Sequence, residues 1–251
     1  MNSPILVFIL SFLVLSFSTR IGVFFRKRRQ KMEGDEREDF DVVLAGALTL
    51  LGLIIGFSFS MAVNRYDQRK NYEEAEANAI GTEYVRADLL PAADAPKVRA
   101  LLKSYLDQRI LFYRTRDEVE LRQINAKTAQ LQNDLWAAVR APATASPTPV
   151  IALAVAGMND VLNSQGYTQA AWWNRIPVAA WELMVAIAIC CSLLLGYGVR
   201  RPETARIIIL VLPLVVSISF FLVADIDSPR GGIIRVRPQN LVSLDDSLHG
   251  R

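Results

Sequence analysis

Four long apolar segments constrain this chain more than any other feature. They cover about Pro4 to Phe25, Val42 to Val63, Val178 to Val199 and Ile207 to Ala224. The second and fourth carry no charge, the third only Glu182 near its start, and the first is broken by serines, Thr19 and Arg20. Each approaches the ~20 residues that a helix needs to cross ~30 Å of hydrocarbon. A helix at the surface of a soluble core keeps one polar face, and these keep none. The sequence therefore predicts an all-α integral membrane protein with four transmembrane helices. Residues 1–63 hold helices one and two with a basic connecting loop. Residues 64–177 form a helical extramembrane region, 178–224 hold helices three and four, and 225–251 are a polar C-terminal tail.

The first segment reads as a retained anchor. No side-chain cation precedes it, no small-x-small cleavage site follows it, and Arg26, Lys27, Arg28 and Arg29 come directly after it. With Lys31, Arg37, Arg200, Arg201 and Arg206, nine cations flank the helices on that side. Seven (Arg65, Arg69, Lys70, Arg175, Arg230, Arg235 and Arg237) flank them on the other. The positive-inside rule then places both termini and the middle region outside the cytoplasm.

The middle region is read as three helices. One is continuous with the second membrane helix and ends at Pro91. A second starts at Asp94, with Pro96 in its first turn, and reaches about Arg140. A proline-rich loop over 141–149 precedes a third, from Pro147 to Asn163. Trp172, Trp173 and Trp181 are expected at the bilayer interface. Glu73, Glu74 and Glu76 lie at helical spacing beside Arg69 and Lys70, which reads as solvated ion pairing.

Chemistry is sparse. With 28 Lys and Arg against 25 Asp and Glu, the net charge of +3 argues against a nucleic-acid partner. One histidine, His249, and two cysteines leave no metal-ligand spacing and no Cys/His pair. No phosphate-binding glycine loop or nucleophile elbow occurs, so neither enzyme, metal nor cofactor is expected. The adjacent Cys190 and Cys191 read as packing residues. Arg20 is placed to snorkel to the interface. Glu182, Arg65 and Asp67 are the polar residues with a possible functional role near the membrane, Glu182 because an acid at depth needs a partner. Pro213 should kink the fourth helix. Asp227, Arg230 and Arg235 emerge on the same side as Arg65 and Asp67 and can pair with them.

The second helix carries more information. Gly52, Gly56 and Ser60 form a small-xxx-small row that lets helix backbones approach closely in lipid. Beside it, Thr49, Leu53 and Phe57 form a second row. Around a shared axis, one row packs on a neighbour and the other faces the centre. Packing of both rows within one chain is the alternative.

The run Ile55, Gly56, Phe57, Ser58, Phe59, Ser60, Met61, Ala62, Val63, Asn64, Arg65, Tyr66 resembles the pore helix of bestrophins, a family of anion channels. Its pattern is an apolar residue, Gly, Phe, then a hydroxyl-bearing apolar stretch ending in Thr-Arg-Trp. The stretches Glu76 to Thr82, Arg86 to Pro91 and Asp227 to Val236 resemble small bacterial bestrophin-like proteins. The resemblance implies a homopentamer in the lipid bilayer of a bacterial inner membrane that passes small ions, anions in particular. It puts an apolar neck at Thr49, Leu53 and Phe57, although Thr49 departs from the family's large apolar residue there. It also implies a cytoplasmic middle region, opposite to the cation count. The acidic calcium cluster of animal bestrophins is unmatched, since only Asp225 and Asp227 follow the last membrane helix. A non-conducting sensor or scaffold, whose helical region binds a partner, is the alternative reading.

Overall fold

The computed structural model describes residues 3–28, 34–199 and 202–250, with the backbone alone over 202–209. Arg29, Lys31, Arg200 and Arg201, which enter the cation count, lie outside the described residues. The elements are α1 (Pro4–Arg28), α2 (Asp35–Arg86), a 3-10 turn (Ala87–Leu89), α3 (Ala95–Arg114), α4 (Glu118–Ala145), α5 (Pro149–Trp173), α6 (Val178–Gly198), α7 (Pro202–Asp227) and α8 (Gln239–His249). No strand occurs among the described residues. Among the described residues, four stretches are long and apolar enough to cross a membrane: Pro4–Arg28, Asp35–Leu89, Pro149–Gly198 and Leu210–Asp227.

The chain divides into two compact units, Met1–Arg65 with Arg175–Ile234, and Tyr66–Asn174 with Arg235–Arg251. In the first unit α1 packs on α6 and α7. Its core gathers Leu15, Leu51, Met184, Cys191 and Phe220, with Trp181 edge-on to Phe220 at 6.1 Å. The α1–α6 crossing is backbone to backbone. A Cβ added at Gly22 would overlap Leu193 O and lie 2.8 Å from Tyr197 N. One added at Gly196 would overlap Thr19 O and lie 3.1 Å from Val23 N. In lipid this close approach substitutes for the hydrophobic effect, which supplies little force between helices there. The buried hydroxyl of Thr19 stays satisfied by donating to Leu15 O at 2.9 Å. Arg20 is exposed, as snorkelling requires.

In the second unit α3, α4 and α5 enclose Leu102, Tyr105, Phe112, Leu135, Met158 and Val161, and α8 adds Leu241 and Leu248. Several sequence expectations are corrected here. The helix expected over 94–140 is two. Thr115 turns extended, and Asp117 caps α4 by accepting from Val119 N at 2.9 Å. The expected loop over 141–149 is largely helix. Pro142 sits buried in the last turn of α4, where it removes one N–H from the helix ladder three residues before the helix ends. The third helix runs to Trp173, beyond Asn163, and opens on a Thr148 side-chain cap followed by Pro149. Trp172 is no interface residue. It is buried against Phe112 at 4.9 Å and Tyr113 at 5.5 Å, whereas Trp173 is 75% exposed.

Candidate pore helix and its polar support

Helix α2 is 52 residues long, its apolar part belonging to the first unit and its polar part to the second. Within the apolar part, Leu51, Ser58 and Ala62 are buried, and Ala47, Leu48, Ile54 and Ile55 pack against the first unit's core. Ala47 O accepts from Cys191 Sγ at 3.3 Å, Arg37 donates to Gly198 O at 3.0 Å, and the Phe40 and Tyr197 rings lie 5.7 Å apart, which seats this face on α6. Both rows singled out in the sequence lie away from it. Thr49, Gly52, Gly56 and Ser60 are exposed, as are Leu53 (53%) and Phe57 (61%). A Cβ added at Gly52 or Gly56 would meet nothing within 4 Å among the described residues. The chain thus buries neither row by itself. Thr49 donates its hydroxyl to Ala45 O at 2.9 Å, so that donor is occupied within the helix.

The polar candidates separate. Arg65 is half-buried and pairs with Asp227 at 3.6 Å, while Asp67 is exposed. Glu182 is exposed on α6. Asp227 also accepts from Ile176 N at 3.1 and 3.2 Å, and Asp225 accepts from Ile233 N at 2.7 Å and Ile234 N at 2.8 Å. Asp225 thereby fixes the turn after α7, and Asp227 ties the end of α7 to the segment that precedes α6. No group of His, Cys, Asp or Glu suited to a metal occurs among the described residues.

The reading of Glu73 and Glu76 beside Arg69 as solvated pairs is overturned. Arg69, Glu73, Glu76, Ile80, Glu83 and Ala87 recur at steps of three and four residues, and all are buried. Arg69 caps the C-terminal end of α5, donating to Ala171 O and Asn174 O, both at 3.1 Å. Glu73 caps α8 from outside that helix, accepting from Asn240 N at 2.9 Å, Leu241 N at 3.0 Å and Asn240 Nδ2 at 2.6 Å. Glu76 forms a fully buried ion pair with Arg109 and accepts from Tyr113 at 3.4 Å and Thr168 at 3.2 Å. Burial opposes the Arg109 charge, but Glu76 beside it holds its pKa above the ordinary arginine value. Burial, reinforced by Glu76, pushes the Tyr105 and Tyr113 phenols up. The signal was present in the sequence, because Ala77, Ile80 and Ala87 share the face of these charges, which a solvated row would not require.

Glu83 differs from the others. It is fully buried, and neither carboxylate oxygen has a hydrogen-bond partner among the described residues. A Cβ added at Gly157 would overlap its Oε2 and reach Arg86 Nη1 at 2.5 Å, so the ends of both side chains lie against the α5 backbone at this glycine. Burial raises the Glu83 pKa to about 8, against the lowering effect of Arg86 and with a further rise from Asp160. An acid whose folded pKa is raised holds its proton in the folded state while the unfolded chain loses it. Stability therefore falls as pH rises from about 4.5 to about 8. The expected loss is on the order of a few kcal/mol. Glu83→Gln should abolish this slope in thermal unfolding of the detergent-solubilised protein between pH 6 and pH 9.

A sequence model of the bestrophin-like domain matches residues 11–241. A multi-pass, all-α membrane protein with one long helix running from its apolar part into a helical polar unit is the class that these features define. The chain belongs to the bestrophin-like family. Among solved structures it is similar to a point variant of a bacterial bestrophin homologue from Klebsiella pneumoniae, at 12% identity and a TM-score of 0.69, over 96% of this chain and 97% of that one. A second structure of a Klebsiella pneumoniae bestrophin homologue, phased on zinc, is similar at 12% identity and a TM-score of 0.65, over 96% and 98% of the two chains. At this identity the likeness concerns the fold. No curated protein sequence matches.

Proposed function

We infer that this protein is a homo-oligomeric ion channel of the plasma membrane, a pentamer whose α2 helices surround the pore. The observation that carries this reading is the exposure of both α2 rows in a helix that packs the opposite face, through Leu51, Ser58 and Ala62, on its own chain. Gly52, Gly56 and Ser60 supply the close-approach surface for a neighbouring α2, and Thr49, Leu53 and Phe57 face the axis. Leu53 and Phe57 make a narrow apolar neck that conducts when it is wetted and closes by dewetting. Anions are the ions assigned to it, on the strength of family membership.

The test is recording from the purified protein in planar bilayers. Wild type should pass current. Leu53→Ala and Phe57→Ala should each raise the open fraction or unitary conductance several-fold, because a wider, less apolar neck wets more readily. Silence of wild type and both variants, from a preparation that is oligomeric and folded, favours the non-conducting scaffold instead.

A further inference from the structure

Within the second unit α2 buries Arg69, Glu73, Glu76 and Glu83, and the first three are committed to helix ends or to Arg109. Glu83 has neither carboxylate oxygen partnered among the described residues. Its Oε2 and Arg86 Nη1 both lie against the α5 backbone at the buried Gly157. Arg86 follows on the next turn of α2, yet no hydrogen bond joins it to Glu83. Asp160, exposed one turn further along α5, is the other charge that acts on the site. Charges on the neighbouring elements are engaged elsewhere. Arg99 of α3 pairs with Asp88 of the 3-10 turn and donates to Tyr84 O at 3.4 Å. Lys103 donates to Leu248 O at 2.8 Å, and His249 of α8 lies 3.0 Å from Asp245, on the Asp107 side of α3.

A carboxylate buried without hydrogen bonds is strongly disfavoured, whereas the neutral acid is tolerated. A bound cation cannot take the proton's place, because the α5 backbone fills the space before Oε2 and the Arg86 guanidinium flanks it. We propose that Glu83 is a proton-operated latch between α2 and α5. The acid form holds the Gly157 turn of α5 against the end of α2. Where the two helices part, the proton passes to water and the carboxylate turns out beside the half-buried Arg86, three residues on and placed to pair with it. The closed contact keeps the proton up to about pH 8, whereas a solvated glutamate loses it near 4.5. Across that window the open fraction rises about tenfold per pH unit, and above it the rise levels off. Packing of α5 on α2 thus responds to the pH of the compartment that bathes the second unit. The latch lies wholly within that unit and does not depend on the channel reading.

Amide hydrogen exchange of the full chain in lipid nanodiscs, corrected for the intrinsic pH dependence of exchange, reads the latch directly. Protection over residues 80–90 and 153–161 should fall about tenfold per unit from about pH 6 and level off above about pH 8. Residues 102–110 of α3 should keep theirs. Glu83→Gln, neutral throughout, should remove the slope. Two further variants move the point of levelling without touching Glu83. Asp160→Asn, at an exposed position where folding is unaffected, should bring it to lower pH, because Asp160 raises the acid's affinity for its proton. Arg86→Gln should carry it to higher pH, because Arg86 acts the opposite way. Protection over 153–161 that ignores pH overturns the latch, as does an equal loss in α3, which would report unfolding of the whole unit. A slope that survives in Glu83→Gln, or a point of levelling that neither Asp160→Asn nor Arg86→Gln moves, overturns it as well.

Discussion

Glu76→Ala should destabilise the protein by about 3–5 kcal/mol, enough to lose most folded material at 37 °C. The substitution leaves Arg109 fully buried without its carboxylate partner and removes the acceptor for Tyr113 and Thr168. An uncompensated buried charge costs more than the pair contributes, because neither water nor another anion replaces the lost partner. The paired change Glu76→Leu with Arg109→Met should recover much of the loss. Thermal unfolding of the two single variants and the double variant measures the coupling as a cycle. Additive losses across the cycle would show that Glu76 and Arg109 do not act as a unit.

The second large effect lies in the membrane unit. Gly22→Leu or Gly196→Leu should cost about 3 kcal/mol or more, since each side chain would be driven into backbone atoms of the facing helix. Flexible neighbours cannot relieve a clash with a main-chain carbonyl. Gly52→Leu and Gly56→Leu provide the contrast, because nothing among the described residues occupies that space. They should leave the thermal stability of the single chain nearly unchanged and instead reduce the oligomer fraction, read by mass measurement in detergent. Equal thermal losses at all four positions would mean that the α2 row packs within the chain.

The membrane helices were legible in the sequence because hydrocarbon imposes a length and a composition that few other environments demand. The apolar and small rows of α2 were legible for a related reason, since helical periodicity survives whatever the helix packs on. What escaped were features defined by distant partners. Glu76 meets Arg109, Tyr113 and Thr168, which are 33 to 92 residues away, and Glu73 caps a helix 167 residues on. Locally, Glu73 has Arg69 and Lys70 within one turn and Glu76 follows on the same stretch of helix, so surface ion pairing is the simplest reading. Trp172 misled for the same reason. It stands six residues before a membrane helix, yet Phe112 and Tyr113, sixty residues earlier, claim it for a core. The break at Thr115–Asp117 was nearer to reach, because Asp117 ahead of Glu118 and Glu120 is a helix-start pattern. The burial of Pro142 had no local signal.

Whether α2 lines a pore turns on which way one of its faces looks. An electron cryo-microscopy image of the purified protein in lipid nanodiscs reads that directly. It should show five copies around a common axis, with α2 innermost and Thr49, Leu53 and Phe57 lining the narrowest point. A particle in which these three side chains meet acyl chains, or a monomer with no shared axis, contradicts the account.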